Sequence, residues 1–123
     1  MELVKSPNAW LEKQVKPFDF DELDAKQVSG QMASIMLAKN GIGLAANQVG
    51  LDAQIFVMRP IEHAEVTKPF AVINPQIVEI SEEVVLGKEG CLSHIGLMLN
   101  IKRPSKLVAQ FLDIDAKECI LEF

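Results

Sequence analysis

After Gly50 the apolar residues of this chain stop recurring at helical spacing and do not return to it. Before that point Val28, Met32, Ile35 and Met36 fall at i, i+4, i+7 and i+8, which puts one apolar stripe on one helix face. Asp19 followed three residues later by Glu22 reads as a capping box, and Asn40-Gly41 supply the left-handed exit that a helix end favours. The methionines of the stripe are core packing, not ligands. Beyond Gly50 the strand candidates are Gln54 to Arg59, closed by Pro60, and residues 70–81, interrupted at Asn74-Pro75 because proline cannot donate to a ladder. Residues 82–90, 97–103, 105–114 and 118–123 continue the series. Residues 61–69 read as a surface loop, and Asp113 to Lys117 as the loop of the last hairpin. One helix followed by short strands, most simply joined antiparallel, is an α+β fold, not an alternating βαβ one.

At 123 residues the chain is expected to form a single domain with one core. An apolar share of 49% excludes a disordered segment. Twelve Lys+Arg against 17 Asp+Glu give a net charge of -5 with no dense basic cluster, so neither a nucleic acid nor an anionic membrane is an expected partner. The opening MELVKSPNAW has no apolar signal core, and no apolar run approaches the roughly 18–20 residues that cross a bilayer. Two cysteines, Cys91 and Cys119, do not make a disulfide framework. A cytoplasmic location is the expectation. Met1 to Phe18, with Pro7 and Pro17, reads as an extended arm.

Two segments are not explained by propensity. Gly41 to Gly50, GIGLAANQVG, opens like a dinucleotide fingerprint, but that motif needs a strand before the glycines and a helix after, and here the order is reversed. A helix end and turn account for Gly41. Gly43, the pair Ala45-Ala46 and Gln48 together suit close backbone approach by an extended ligand. Gln48 adds an uncharged amide N–H, a group able to hold a developing oxyanion. The second segment, Lys88 to Gly96, sets Cys91 and Ser93 between Gly90 and Gly96. Cys91 is open to two readings, a small buried hydrophobe or a ligand or nucleophile. With His94 it makes a C-x-x-H pair, yet zinc needs three or four ligands and His63 lies in a charged loop without a partner at ligand spacing. No cysteine-protease motif is present.

Taken together, the two segments resemble the peptide deformylase family. Its G-x-G-x-A-A-x-Q motif is matched by Gly41 to Gln48, and its E-G-C-L-S motif by Glu89 to Ser93. Asn100 to Pro104, NIKRP, and the strand-rich interval between the motifs are also similar, and the short loops resemble compact phage or bacterial members. The resemblance implies hydrolysis of the N-formyl group from the formyl-methionine of nascent polypeptides by a divalent metal: ferrous iron in the cell, zinc or nickel in preparations. It implies Cys91 as a metal ligand, with Gln48 and the N–H of Leu92 holding the oxyanion and Gly43 among the catalytic positions. Ile42, Gly43, Leu44 and Gly90 would pair with the peptide as an added strand. Ile42 and Leu92 would line the pocket for the methionine side chain. Glu89 and Arg103 would form a supporting ion pair. N-formylmethionyl peptides and the ribosome that presents them are the implied partners.

The family's third motif, His-Glu-x-x-His, supplies two metal ligands and a general base, and it does not occur in residues 1–123. His94 stands where the family places an apolar or aromatic residue. The expectation is a domain truncated at its C-terminus, with an incomplete metal site, little activity of its own and a tendency to self-associate through an uncovered face. The alternative is a catalytically silent relative that binds peptides or a partner. A generic α+β domain would leave both motifs unexplained.

Overall fold

The computed structural model describes residues 1–5, 8–61, 68–81, 84–90, 98–104 and 106–123; Trp10, Glu12, 84–90 and 98–104 are described by their backbone alone. Helix α1 spans Ala25–Ala38 and buries the expected stripe, with Val28, Met32 and Met36 inside and Ile35 packed at the margin. Its start differs from the sequence reading. The N-cap is Asp24, whose carboxylate accepts from the Gln27 N–H at 3.2 Å, while Asp19 accepts from the Asp21 N–H at 2.9 Å in the turn before the helix. A short acidic side chain can satisfy a turn amide as readily as a helix amide, and Asp19 is used for the turn. The exit is as expected. Asn40 sits at φ 56°, and the N–H groups of Gly41 and Asn40 reach back to the carbonyls of Met36 and Leu37 at 2.8 and 3.1 Å, a Schellman ending.

Five strands make one antiparallel sheet: β1 (Gly43–Ala45), β2 (Ile55–Met58), β3 (Phe70–Ile80), β6 (Leu107–Leu112) and β7 (Glu118–Glu122), in the order β1-β2-β3-β6-β7. A separate antiparallel pair is formed by β4 (Val84–Gly90) and β5 (Met98–Pro104). This is the α+β class read from the sequence. The expected break at Asn74-Pro75 is a bulge inside one continuous strand. Asn74 takes φ 50°, and the register with β6 shifts between Ile73 and Gln76. β1 is not among the strand candidates above, because a strand of three residues with a glycine carries no period to detect. The last hairpin turns on Asp113, whose carboxylate accepts from the N–H groups of Asp115 and Lys117 at 2.8 and 3.0 Å.

The core lies between α1 and the sheet, where Met32, Met36, Leu44, Val57 and Ile73 are almost fully enclosed. Each such side chain contributes about 1.5–3 kcal/mol of apolar burial. The N-terminal arm is strapped across one end. Phe18 is buried, and the Asn74 amide grips its backbone from both sides, accepting from its N–H at 2.7 Å and donating to its carbonyl at 3.1 Å. Upstream, the Lys16 N–H donates to Asp52 at 3.0 Å and the Lys13 ammonium lies 3.4 Å from the same carboxylate, and these contacts hold Asp52 below the usual carboxylate range. The arm thus docks on residues 47–54, which include the end of the glycine-rich segment. No helix among the described residues is long and apolar enough to cross a membrane.

Candidate functional site

The glycine-rich loop becomes an edge strand followed by a tight turn. β1 pairs with β2 in a register that sets Gly43 opposite Met58 and Ala45 opposite Phe56. One step earlier in that register the Arg59 N–H donates to the Ile42 carbonyl at 3.0 Å, so Ile42 and Arg59 are a hydrogen-bonded pair. Bonded and non-bonded pairs alternate in an antiparallel ladder, so Gly43 and Ala45 turn their N–H and C=O groups away from β2. Among the described strands β1 has no neighbour on that side.

Gln48 lies on the same open side. It belongs to a 3₁₀ turn, Ala46–Val49, closed by Gly50 at φ 73°, a conformation that glycine takes at no steric cost. From there its side-chain oxygen accepts from the Ala45 N–H at 3.0 Å. That bond uses the carbonyl end of the amide; the –NH2 end is its donor end. The turn is pinned from behind, because the Val4 N–H donates to the Gln48 backbone carbonyl at 2.6 Å and the Asn47 amide donates to the Leu11 carbonyl at 3.3 Å. A Cβ built on Gly43 would meet nothing closer than the Val57 carbonyl oxygen at 3.6 Å, an ordinary contact. Nothing among the described residues demands a glycine there.

The expected peptide-contacting residues separate by direction. Ile42 is 71% exposed and presents its side chain. Gly43 presents its backbone. Leu44 has its side chain in the core, 2% exposed, and its backbone in the bonded phase of the ladder toward β2. Arg59 was missed by the sequence reading. Its Nε donates to the Gly41 carbonyl at 2.6 Å and its terminal NH2 to the Asn40 side-chain oxygen at 3.4 Å. No signal in the sequence pointed to it, since Lys39 already stands at the helix end.

Cys91, Leu92, His94 and His63 lie outside the described residues. The backbone register sets Arg103 opposite Val85 and Glu89 opposite Leu99, with Gly90 closing β4; the side chains of the expected Glu89–Arg103 pair also lie outside the described residues. Among the described residues no group of three or more His, Cys, Asp or Glu could hold a metal ion. Cys119 has the Asp113 carboxylate 3.9 Å from its sulfur. Burial pushes its thiol up, and the Asp113 charge pushes the same way, so it stays protonated and is a poor ligand. The described donors do not compose a metal site.

The chain matches the family model for polypeptide deformylase over residues 1–123. It is 37% identical to a peptide deformylase of Borreliella burgdorferi, over 99% of this chain and 72% of that protein, and 34% identical to one of Maricaulis maris, over 96% and 68%. Its fold superposes on the crystal structure of peptide deformylase from Ehrlichia chaffeensis in complex with actinonin, with a TM-score of 0.90, 36% identity, and coverage of 99% of this chain and 73% of that one. The enzyme of the Vibrio parahaemolyticus bacteriophage VP16T, also in complex with actinonin, gives 0.89 and 32%, covering 100% and 85%. A helix-then-strands chain, an amide held on the open side of a glycine-containing edge strand, and these likenesses along its whole length lead to one conclusion: the chain belongs to the polypeptide deformylase family.

Proposed function

We propose that residues 1–123 form one deformylase domain and carry the peptide-binding edge and half of the hydrolytic centre. The observation that carries this reading is the Gln48 oxygen bonded to the Ala45 N–H, which holds the amide on the open edge beside Gly43. A formyl-methionyl peptide laid along that edge pairs its main chain with the outward N–H and C=O of Gly43 and sets its first side chain against Ile42. The Gln48 –NH2 then donates to the formyl oxygen as negative charge develops on it, with the Leu92 N–H as second donor. Such a donor acts mainly in the transition state, where the oxygen is most negative. Pairing through the main chain makes binding tolerant of sequence, which suits a substrate class defined by its formylated first residue.

Cys91 is the proposed thiolate donor to a divalent metal: iron, zinc or nickel. Residues 1–123 contain no His-Glu-x-x-His, so the remaining two ligands and the base are not among them. The 123-residue chain alone is therefore expected to hydrolyse formyl-Met peptides at background rate with ferrous or nickel ion added. Joining a His-Glu-x-x-His helix after Phe123 should restore turnover. Full turnover by the unextended chain would overturn the ligand assignment.

Self-association of the isolated chain belongs to the same reading. An apolar hollow of about 470 Å³ lies between Gly30 and Ala33 of α1 and Phe70, Phe111 and Leu121 of the sheet, and Ile77, Val78 and Ile120 are more than half exposed. Apolar surface of this kind promotes association. Sedimentation should show a mass that rises with concentration, and a concentration-independent monomer would refute it. The peptides and the ribosome that presents them are the proposed partners, in the cytoplasm. No observation favours the silent, partner-binding alternative.

A further inference from the structure

Helix α1 ends on Lys39 as its C-cap, and the N–H groups of Lys39, Asn40 and Gly41 close its last carbonyls. Arg59, the residue after β2, acts on the joint beyond that end. One residue donates to three successive acceptors: the Asn40 side-chain oxygen at 3.4 Å, the Gly41 carbonyl at 2.6 Å and, through its own main-chain N–H, the Ile42 carbonyl at 3.0 Å. Asn40 is the left-handed joint, φ 56°, that redirects the chain from the helix into β1. A rotation at this joint would swing Ile42 and Gly43, which supply the exposed side chain and the outward backbone groups of the edge. A planar guanidinium can reach Asn40 and Gly41 together in a fixed fork, whereas an ammonium serves one of them at a time.

We propose that Arg59 is a positioning residue for the peptide edge: by locking the Asn40–Gly41 joint it fixes the direction in which Ile42 and Gly43 meet the substrate. This rests on the reading of β1 as the peptide-binding edge. The competing explanation is a helix cap that contributes stability and nothing else. The two differ in what they move. A cap changes global unfolding alone, while a positioning residue changes affinity and the local opening of residues 41–43 with the core unaltered.

The test uses the 15N-labelled 123-residue chain titrated with formyl-Met-Ala-Ser, in wild type, Arg59→Met and Arg59→Lys. In wild type the Gly43 amide should shift on titration. In Arg59→Met the Gly41 amide, which donates to the Met36 carbonyl at 2.8 Å in wild type, should exchange faster, and the peptide Kd should weaken about tenfold, as expected for losing one charge-assisted hydrogen bond's worth of ordering. Exchange at Ile73 in the core should not change. Arg59→Lys, which keeps the charge but not the fork, should weaken binding about threefold, midway on the logarithmic scale. A wild-type Kd in Arg59→Met, or core exchange that rises in step with that of Gly41, would overturn the proposal while leaving the peptide-edge reading intact. If Arg59→Met does not fold, Arg59→Lys decides, and an unchanged Kd there overturns it. No shift at Gly43 in the wild-type titration would overturn both readings together.

Discussion

In a chimera that joins a His-Glu-x-x-His helix after Phe123, Gln48→Glu should lower kcat by about 100- to 1,000-fold, the usual cost of removing one oxyanion donor. Glutamate is the informative substitution because it separates the two ends of the amide. The Gln48 oxygen accepts from the Ala45 N–H at 3.0 Å, and a carboxylate oxygen can keep that bond and hold β1 in place. What glutamate removes is the –NH2 end, and it sets a negative charge where charge develops. KM for a formyl-Met peptide should therefore move little while kcat falls. Gln48→Ala removes both ends, so kcat should fall and KM should also rise as Ala45 loses its acceptor. Steady-state kinetics over a range of peptide concentrations separates the two. A Gln48→Glu chimera with near wild-type kcat would sink the oxyanion role.

The second large effect concerns folding. Met32 is fully enclosed at the middle of α1, where the helix meets the sheet, and Met32→Ala should cost about 2–5 kcal/mol. Against a domain stability of about 5–15 kcal/mol this removes a large share of the folded state's margin. Leu37, on the same helix but 46% exposed, serves as control, and Leu37→Ala should stay within about 0.5 kcal/mol. Urea unfolding followed by circular dichroism measures both. Equal midpoints for the two variants would show that the stripe does not face the core.

What was legible in the sequence follows from what leaves a period behind. The stripe Val28, Met32, Ile35, Met36 announces α1 because burial selects residues every third or fourth place, and the strand candidates from residue 54 onward align with β2, β3, β4, β5, β6 and β7. β1 was not legible, since three residues containing a glycine are too few to alternate. The helix start was misplaced by five residues because Asp19 and Asp24 are equally good caps on paper, and only the turn at residues 19–23 decides between them. Asn74 was recognisable as a break but not as the clamp on Phe18, a contact across 56 residues. Gln48 was found through its motif and its chemistry. Its bond to Ala45 and the Arg59 fork were not, because a side chain that serves a distant carbonyl leaves no pattern in the sequence around it.

The brevity of β1 has a consequence of its own. A three-residue margin in which Ala45 has committed its amide hydrogen to Gln48 and its carbonyl to the turn it caps leaves, along β1, the two groups of Gly43 for a visitor. On the proposed reading of this edge, so small an inventory inspects the beginning of a polypeptide, and whatever text comes next passes β1 unread.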